Sequence, residues 1–361
     1  MTQPPARPRP PAGIYRRFAL ALAIGLASGV AAAAAGLPLP WMLGPMIGNT
    51  LAAILGVPVA GPVALRGFVI PVIGVLLGSA FGPGIVDRLA DWALTLALMP
   101  AFIAAAAGLS YVLYRRAAGY DPATAFFSAM PGGLNEMLIL GAEAGADERR
   151  VALAHASRIL VVVSFVVLFF GIVLGVTTGG DDGRPVTGFG DISATDAALL
   201  ASCGLAGVWL GRRLRFPAAA LTGPMLLSGA AHLTALVEVP PPTPLVIAAQ
   251  VIIGTIIGCR FAGVAPREIG RDLAFGAASS TLMIGAALAA AVALTLATGA
   301  DMRQSFLAYS PGGLTEMSLL ALAMGQDVAY VSAMHVVRIV LVVLGVPVLN
   351  RRLRNGGPGP R

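Results

Sequence analysis

Charged residues are scarce in this chain, and lysine is missing from it. Of the 361 residues, 11% are charged and 57% are hydrophobic. A soluble domain carries about 25% charged residues, because its surface must face water. Apolar runs of roughly 20 residues, long enough to cross a hydrocarbon core, recur along the whole sequence. The scarcity of charge excludes a soluble globular protein and predicts a polytopic membrane protein.

Residues that hold metals or form disulfides are also few. Cys203 and Cys259 lie singly within apolar runs, and neither belongs to a CxxC pair or a metal-ligand spacing. We interpret both as small buried apolar side chains. The sequence therefore predicts no cofactor.

All 24 basic residues are arginine, and the formal net charge is +7. The arginines occur in short groups between apolar runs, such as Arg115-Arg116 and Arg212-Arg213. This layout is typical of cytoplasmic loops under the positive-inside rule and not of a DNA-binding surface. We expect the lipid bilayer and a small molecule or ion as partners, and no nucleic acid. Whether the chain forms a homo-oligomer is left open.

The chain repeats itself 180 residues apart around the motif Pro-Gly-Gly-Leu-x-Glu-Met. Residues 131–137 recur as 311–317, and 14 of the 38 positions are identical between residues 121–158 and 301–338. Upstream, Gly74 and Gly78 match Gly254 and Gly258 at the same offset. Duplicated halves in an apolar chain are typical of transporters whose binding site lies between the repeats.

The apolar runs predict five spans in each half. We expect a disordered tail at 1–14, membrane repeats at 15–178 and 195–350, a polar linker at 179–194 and a basic tail at 351–361. The first run follows Arg16-Arg17 and resembles a signal peptide. Because the second half has an apolar run in the matching place, we interpret it as a retained span. The predicted spans are 15–35, 39–57, 67–83, 92–114, 152–176, 195–211, 218–237, 244–261, 273–298 and 329–350.

Two further segments, 121–145 and 301–325, carry the Pro-Gly-Gly break. Each either crosses the membrane as a broken helix or returns to its starting side as a hairpin. If both return and the N-terminus is inside, 19 arginines lie inside and three outside; if both cross, the numbers are 13 and nine. The positive-inside bias favours return. We therefore predict an all-α protein of two inverted repeats, each with a re-entrant hairpin, in a bacterial inner membrane with both termini cytoplasmic.

The hairpins contain the candidate binding residues. Glu136 and Glu316 fall in the first turn of the helix after the break, where a carboxylate either caps the helix or couples proton movement to solute movement. The glycines allow either tight packing or exposed N–H donors that bind an anionic or polar solute. The predicted site consists of Gly132, Gly133, Asn135, Glu136, Gly312, Gly313, Thr315 and Glu316.

A His-x-x-Arg pair follows each hairpin and places both side chains on one helix face. The pairs are His155 with Arg158 and His335 with Arg338. We expect them to support the site, as structural ion pairs with the glutamates or as a proton relay through histidine. A metal site made of these histidines and glutamates is a minor alternative.

Two other matched pairs have simpler explanations. Asp147 and Asp327 are expected to cap the helices that they precede. Pro45 and Pro224, each within a Gly-Pro-Met motif, are expected to break the second span of each half, where they either line a cavity or serve packing.

The paired PGGLxEM motifs, each followed by Gly-x-Asp and His-x-x-Arg, resemble those of the bacterial AbrB-type membrane proteins. The resemblance covers about residues 18 to 350. It implies a tandem membrane duplication and a role in regulation of gene expression, and such proteins are often labelled ammonia monooxygenases. It supplies no catalytic residues, and three histidines with two separate cysteines give no recognisable cluster of copper or iron ligands.

The sequence leads us to expect a secondary transporter of a small solute, working by alternating access of the two repeats. An indirect regulator of gene expression is the second hypothesis, and a membrane oxidoreductase is the third.

Overall fold

The computed structural model describes residues 13–355, except 38, 83, 84, 86, 87, 89, 170–186 and 263–265. The described residues form fourteen α-helices, seven in each half of the chain. The first half contains α1 Ile14–Ala34, α2 Pro40–Ile54, α3 Arg66–Gly78, α4 Ala93–Arg116, α5 Pro122–Ala129, α6 Leu134–Glu143 and α7 Glu148–Leu168. The second half contains α8 Ala194–Arg213, α9 Ala219–Leu233, α10 Thr243–Gly258, α11 Pro266–Thr298, α12 Met302–Tyr309, α13 Leu314–Ala323 and α14 Val328–Asn355.

Six helical stretches are long and apolar enough to cross a membrane: 14–34, 90–116, 194–213, 243–261, 270–298 and 328–346. Large apolar side chains on the outer surface of the helices, such as Leu205, Trp209 and Leu296, are more than two thirds exposed. Such surfaces are stable only against lipid or another apolar partner. The chain is therefore an all-helical protein with several membrane-spanning helices, as the sequence predicts.

The number of spans stays a prediction. Helices α2 and α9 have 15 residues each and α3 has 13, which gives lengths of roughly 20 Å against a hydrocarbon core of about 30 Å. The predicted spans at 39–57, 67–83 and 218–237 are accordingly longer than the helices observed there. Most of the predicted N-terminal tail and linker lies outside the described residues, and α14 continues to Asn355, five residues into the predicted C-terminal tail.

Helix α3 of the first half packs against α9 of the second half through the matched glycines. A Cβ atom at Gly74 would lie 2.6 Å from the carbonyl oxygen of Leu221, and one at Gly78 would collide with that of Met225. Only glycine lets the two backbones approach this closely, as at small-residue interfaces between membrane helices.

The reciprocal contact joins α10 of the second half to α2 of the first. A Cβ atom at Gly254 would collide with the carbonyl oxygen of Met42, and one at Gly258 would lie 2.5 Å from that of Met46. Each half therefore contributes one glycine-faced helix to the other half, which fixes the two halves together.

The expectation that Pro45 and Pro224 break the second span is wrong. Both prolines lie inside continuous helices, α2 and α9. They serve packing: the Cβ of Pro224 is 3.0 Å from a Cβ built at Gly74, and that of Pro45 is 3.1 Å from one built at Gly254. The ring removes one backbone donor without ending the helix, because neighbouring helices hold it in place.

Helices α5 and α6 form a hairpin that closes at its base. The hydroxyl of Thr124, in the first turn of α5, accepts a hydrogen bond from the backbone N–H of Asp147 at 2.8 Å. Asp147 caps α7, as predicted, by accepting from the N–H of Arg150. In the same way Asp327 caps α14 and accepts from the N–H of Tyr330 at 3.0 Å.

Asp121 caps α5 and accepts from the N–H of Thr124 at 2.9 Å. Partial burial acts to raise the pKa of this carboxyl, but the hydrogen bonds from Thr124 and from the backbone outweigh it and lower the pKa below its ordinary value. The carboxylate, which is the form that accepts these bonds, is thereby favoured in the folded protein.

The two hairpins begin at opposite ends of α4. At its C-terminal end, the ring of Tyr114 stacks on that of Tyr120, which precedes the first hairpin. At its N-terminal end, the hydroxyl of Thr95 is 2.9 Å from that of Tyr330, which follows the second hairpin. Thr95 and Tyr114 are 19 residues apart on α4, so about 28 Å separate the two positions.

Candidate functional site

The first arm of each hairpin is held by the predicted His-x-x-Arg pair. Nη1 of Arg158 donates to the carbonyl of Met130 at 2.9 Å, and Nη2 donates to that of Gly132 at 3.3 Å. These carbonyls lie where α5 ends at the Pro-Gly-Gly break. An arginine at a helix C-terminus stabilises the partial negative charge of such unpaired carbonyls.

The second half repeats this arrangement. Nη1 of Arg338 donates to the carbonyl of Ser310, and Nη2 donates to that of Gly312 at 2.7 Å. The ion pairs expected with Glu136 and Glu316 are not found: among the described residues, no ion pair joins either arginine to a glutamate. The arginines bind backbone carbonyls instead, because the break in the helix leaves these unpaired acceptors at the same depth as the guanidinium groups.

The two histidines complete the support of the first arms. Nε2 of His155 lies 2.9 Å from the carbonyl oxygen of Phe127, and Nε2 of His335 lies 2.9 Å from that of Leu307. A carbonyl only accepts, so Nε2 carries the proton in both rings. Nδ1 of His155 then accepts from Arg158 at 3.0 Å. Both ring nitrogens of His155 are thus engaged in holding the hairpin.

The glutamates turn back toward the start of their own helices. Gly133 is the N-cap of α6, and a Cβ atom there would collide with Oε2 of Glu136. Gly313 and Glu316 have the same relationship at the start of α13, where the carboxylate of Glu316 also accepts from its own N–H. Each carboxylate therefore lies at the start of its own helix, and its closeness explains why the second residue of each Gly-Gly pair is glycine.

The tips of both hairpins meet at one cavity of about 420 Å³ between the halves. Of the predicted site, its wall includes both Gly-Gly pairs, both glutamates and Thr315, and of the supporting residues it includes His155, Arg158 and Arg338. The side chain of Asn135 lies outside the described part of the structure. Glu316 is 7% exposed, whereas Glu136 is only partly buried.

Two arginines that the sequence did not place among the candidate site residues also line this cavity. Arg66 begins α3, and Arg260 follows the end of α10. Both interact electrostatically with Glu316, which lies far from them in the sequence. One sequence feature could have identified Arg260 as a cavity residue. It lies beside Cys259 at the end of an apolar run and not within a polar loop.

The remaining wall is aliphatic. It is formed by Ile70 of α3, by Ala218 and Leu221 at the start of α9, and by Ile253 and Ile256 of α10. The cavity therefore combines an apolar wall with a charged floor made by the hairpin tips. A concave, largely apolar pocket with a few convergent polar groups is the usual form of a small-molecule site. Within the described residues, no group of three His, Cys, Asp or Glu side chains is placed to hold a metal ion.

These features define a polytopic helical membrane protein with a central polar cavity at two helix breaks. A family model described as "Transition state regulatory protein AbrB" matches residues 41–354, and the chain belongs to this AbrB family. It is similar to the "Putative regulator AbrB" of Escherichia coli (strain K12), with 25% identity over 323 residues that cover 89% of this chain and 92% of the relative. It is also similar to the "Uncharacterized protein YhjN" of Bacillus subtilis (strain 168), with 29% identity over 305 residues that cover 79% and 77%.

Proposed function

We propose that this protein is a secondary transporter of the bacterial inner membrane that moves a small solute by alternating access of its two halves. One observation carries the proposal: the glycine tips of two broken hairpins, one from each half, line the same cavity together with Glu136 and Glu316. Broken helices that meet between repeats are where secondary transporters bind solute and coupling ion.

The shape of the cavity supports one particular state of the transport cycle. Its wall includes Arg66 at the start of α3, Ala218 before α9 and Arg260 after α10. In the proposed topology, with both termini cytoplasmic, these three positions lie on the cytoplasmic side. The structure then corresponds to the inward-facing state, and the outward-facing state would open at the matched ends of α2, α3 and α10.

The two glutamates are the proposed coupling groups. A carboxylate buried at membrane depth is costly when charged, and it becomes neutral when it takes up a proton. Loss of its charge weakens its interaction with the helix start that it caps, so protonation and the position of the hairpin tip become linked. Glu316, the more deeply buried of the two, is expected to contribute most.

The experiment uses vesicles reconstituted with purified protein. Solutes that accumulate or disappear in a deletion strain, identified by metabolite profiling, are added one by one to vesicles that contain the pH dye pyranine. The wild type is expected to move protons with one of them, and the variant with Glu136→Gln and Glu316→Gln together is expected to lose this signal. Glu143→Gln, an exposed residue of the same α6, is the matched control. Wild-type proton movement in the double variant would refute the role of the glutamates.

A second candidate function follows from the name of the Escherichia coli relative, which describes a regulator. In that case the chain would act indirectly on gene expression, through a cytoplasmic partner bound by the arginine-rich loops. Replacing Arg212 and Arg213 by glutamine would then alter the expression phenotype, whereas the double glutamate variant would not. The transporter proposal predicts the opposite pattern.

A further inference from the structure

The charges around the cavity do not balance. Its wall contains four arginines (Arg66, Arg158, Arg260 and Arg338) and two glutamates, so the formal charge of these side chains is 4 − 2 = +2. The N-termini of α6 and α13 face the same space and each add a partial positive charge, equivalent to about half an elementary charge.

The two negative charges already lie against positively polarised helix starts. Glu136 and Glu316 turn back over Gly133 and Gly313, so each carboxylate lies against the start of its own helix. Arg66 and Arg260 interact electrostatically with Glu316, but two carboxylates do not neutralise four arginines. Arg158 and Arg338 donate to carbonyl groups, which carry only partial charge.

Unpaired donors remain on these two arginines. Arg158 is 7% exposed and Arg338 is 3% exposed, and Nε of each has no hydrogen-bond partner among the described residues. A buried N–H group without an acceptor is costly, and a guanidinium group is well matched to a carboxylate or phosphate. Both arginines line the cavity, and a small oxyanion is the ligand whose charge and shape match them.

Arg66 and Arg260 are not needed to build the fold. The positions that match them in the other half are Val246 and Ala80, and these halves form the corresponding helices without an arginine there. Neither arginine makes a hydrogen bond or ion pair with a described residue, and both remain partly exposed. Their presence at the mouth of the cavity is therefore explained better by a ligand than by packing.

We infer that the cavity binds a small organic oxyanion, with its carboxylate or phosphate at the arginines and the hairpin tips. Its apolar body would lie against the aliphatic wall of Ile70, Ile253, Ile256 and Ile257. A volume of about 420 Å³ suits a compact organic molecule. This inference rests on the proposed function and adds to it the chemical class of the solute.

Equilibrium binding to the purified full-length protein tests the inference without transport. The probes are hexanoate, phenyl phosphate, the neutral hexanamide and the cation hexylammonium, measured by calorimetry and by the midpoint of thermal unfolding. Saturable binding of hexanoate or phenyl phosphate is expected, and which of the two binds more tightly distinguishes carboxylate from phosphate. Equal or tighter binding of the amide or the ammonium ion, or no binding of any probe, would overturn the inference.

Removing an arginine and removing a glutamate are expected to change the affinity for the anion in opposite directions. Arg66→Gln and Arg260→Gln are expected to weaken anion binding by about tenfold, because each removes a cation close to the ligand. Glu316→Gln is expected to strengthen it by about threefold, because it removes a repelling charge. Arg213→Gln, an exposed change of the same net charge at the end of α8, should leave binding within about twofold. These variants avoid Arg158 and Arg338, which hold the backbone.

An unchanged affinity in Arg260→Gln, or weaker anion binding in Glu316→Gln, would contradict the inference. Different results would contradict the transport proposal. If the protein binds the anions but reconstituted vesicles carry none of them, this inference stands and transport does not. If the vesicles carry a cation or a neutral solute, transport stands and the oxyanion is refuted.

Discussion

The hydroxyl of Thr124 and the backbone N–H of Asp147 are joined by a 2.8 Å hydrogen bond across the base of the first hairpin. The chain thus leaves this level at α5, reaches the Pro-Gly-Gly tip and returns to the same level before α7 begins. The ring of Tyr120 lies 5.0 Å from the guanidinium carbon of Arg150, which brings the two flanking loops together as well.

This hydrogen bond predicts that residues on either side of the first hairpin share one face of the membrane. In a variant without Cys203 and Cys259, single cysteines at Ala117 and Glu148 should react with an impermeant maleimide from the cytoplasmic side. Cysteines at Met302 and Gln326, which flank the second hairpin, should react only from the opposite side. Labelling of Ala117→Cys and Glu148→Cys from different sides would rule out the hairpin.

Loss of Arg158 should destabilise the protein strongly. Arg158→Gln removes hydrogen bonds to the carbonyls of Met130 and Gly132, each worth about 1.5–3 kcal/mol because the donor is charged. We expect the free energy of unfolding to fall by roughly 3 kcal/mol, measured by denaturant titration in detergent. Arg158→Lys should recover little of it, because an ammonium group lacks the planar fork of the guanidinium.

The exposed Arg213 is the control for this experiment. Arg213→Gln should change the free energy of unfolding by less than about 0.5 kcal/mol. Equal stability of the Arg158 and Arg213 variants would mean that the carbonyls of the hairpin do not depend on the arginine.

Gly254→Ala should separate α10 from α2. The added methyl group would collide with the carbonyl oxygen of Met42, which belongs to a helix backbone and cannot rotate away. Overpacking of this kind costs about 1–3 kcal/mol. Gly285→Ala in α11, where a Cβ atom meets no other atom within 4 Å, should leave the thermal unfolding midpoint unchanged or raise it. A midpoint for Gly254→Ala as high as that for Gly285→Ala would contradict the close contact.

Gly133→Ala tests the position of Glu136. Its methyl group takes the place of Oε2, so the carboxylate must leave the start of α6. The cost in stability is small, about 0.3–1 kcal/mol for the lost interaction with the helix dipole. Proton-coupled transport should nevertheless fall sharply. Gly285→Ala, in α11 and outside the residues that line the cavity, adds a methyl group without a close contact and should transport normally. Equal transport by both variants would separate Glu136 from the mechanism.

The apolar runs predicted an all-helical protein with several membrane-spanning helices, and the structure confirms this. The Pro-Gly-Gly motif marked the helix breaks between α5 and α6 and between α12 and α13, because residue types at a helix break are restricted by backbone geometry. The re-entrant path of these segments stays a prediction. The same reasoning predicted the caps at Asp147 and Asp327, which depend on residues only a few positions away.

The partners of buried charges were harder to predict. Arg158 was expected to pair with a glutamate, but the unpaired carbonyls at the end of α5 lie within its reach and give it two acceptors. Backbone acceptors leave no trace in the composition. Arg66 and Arg260 were missed as cavity residues because their proximity to Glu316 depends on how the two halves pack, which no local pattern records.

The exchange of glycine-faced helices between the halves has a consequence for how this chain arose. In a single half, the glycine-faced helix (α3 or α10) and the helix that receives its counterpart (α2 or α9) both pack against the other half. A single half therefore has no complete interior of its own. An ancestor that carried one copy would have had to work as a pair of identical molecules. Joined in one chain, the two halves carry different residues at matched positions, such as Arg66 against Val246 and Arg260 against Ala80.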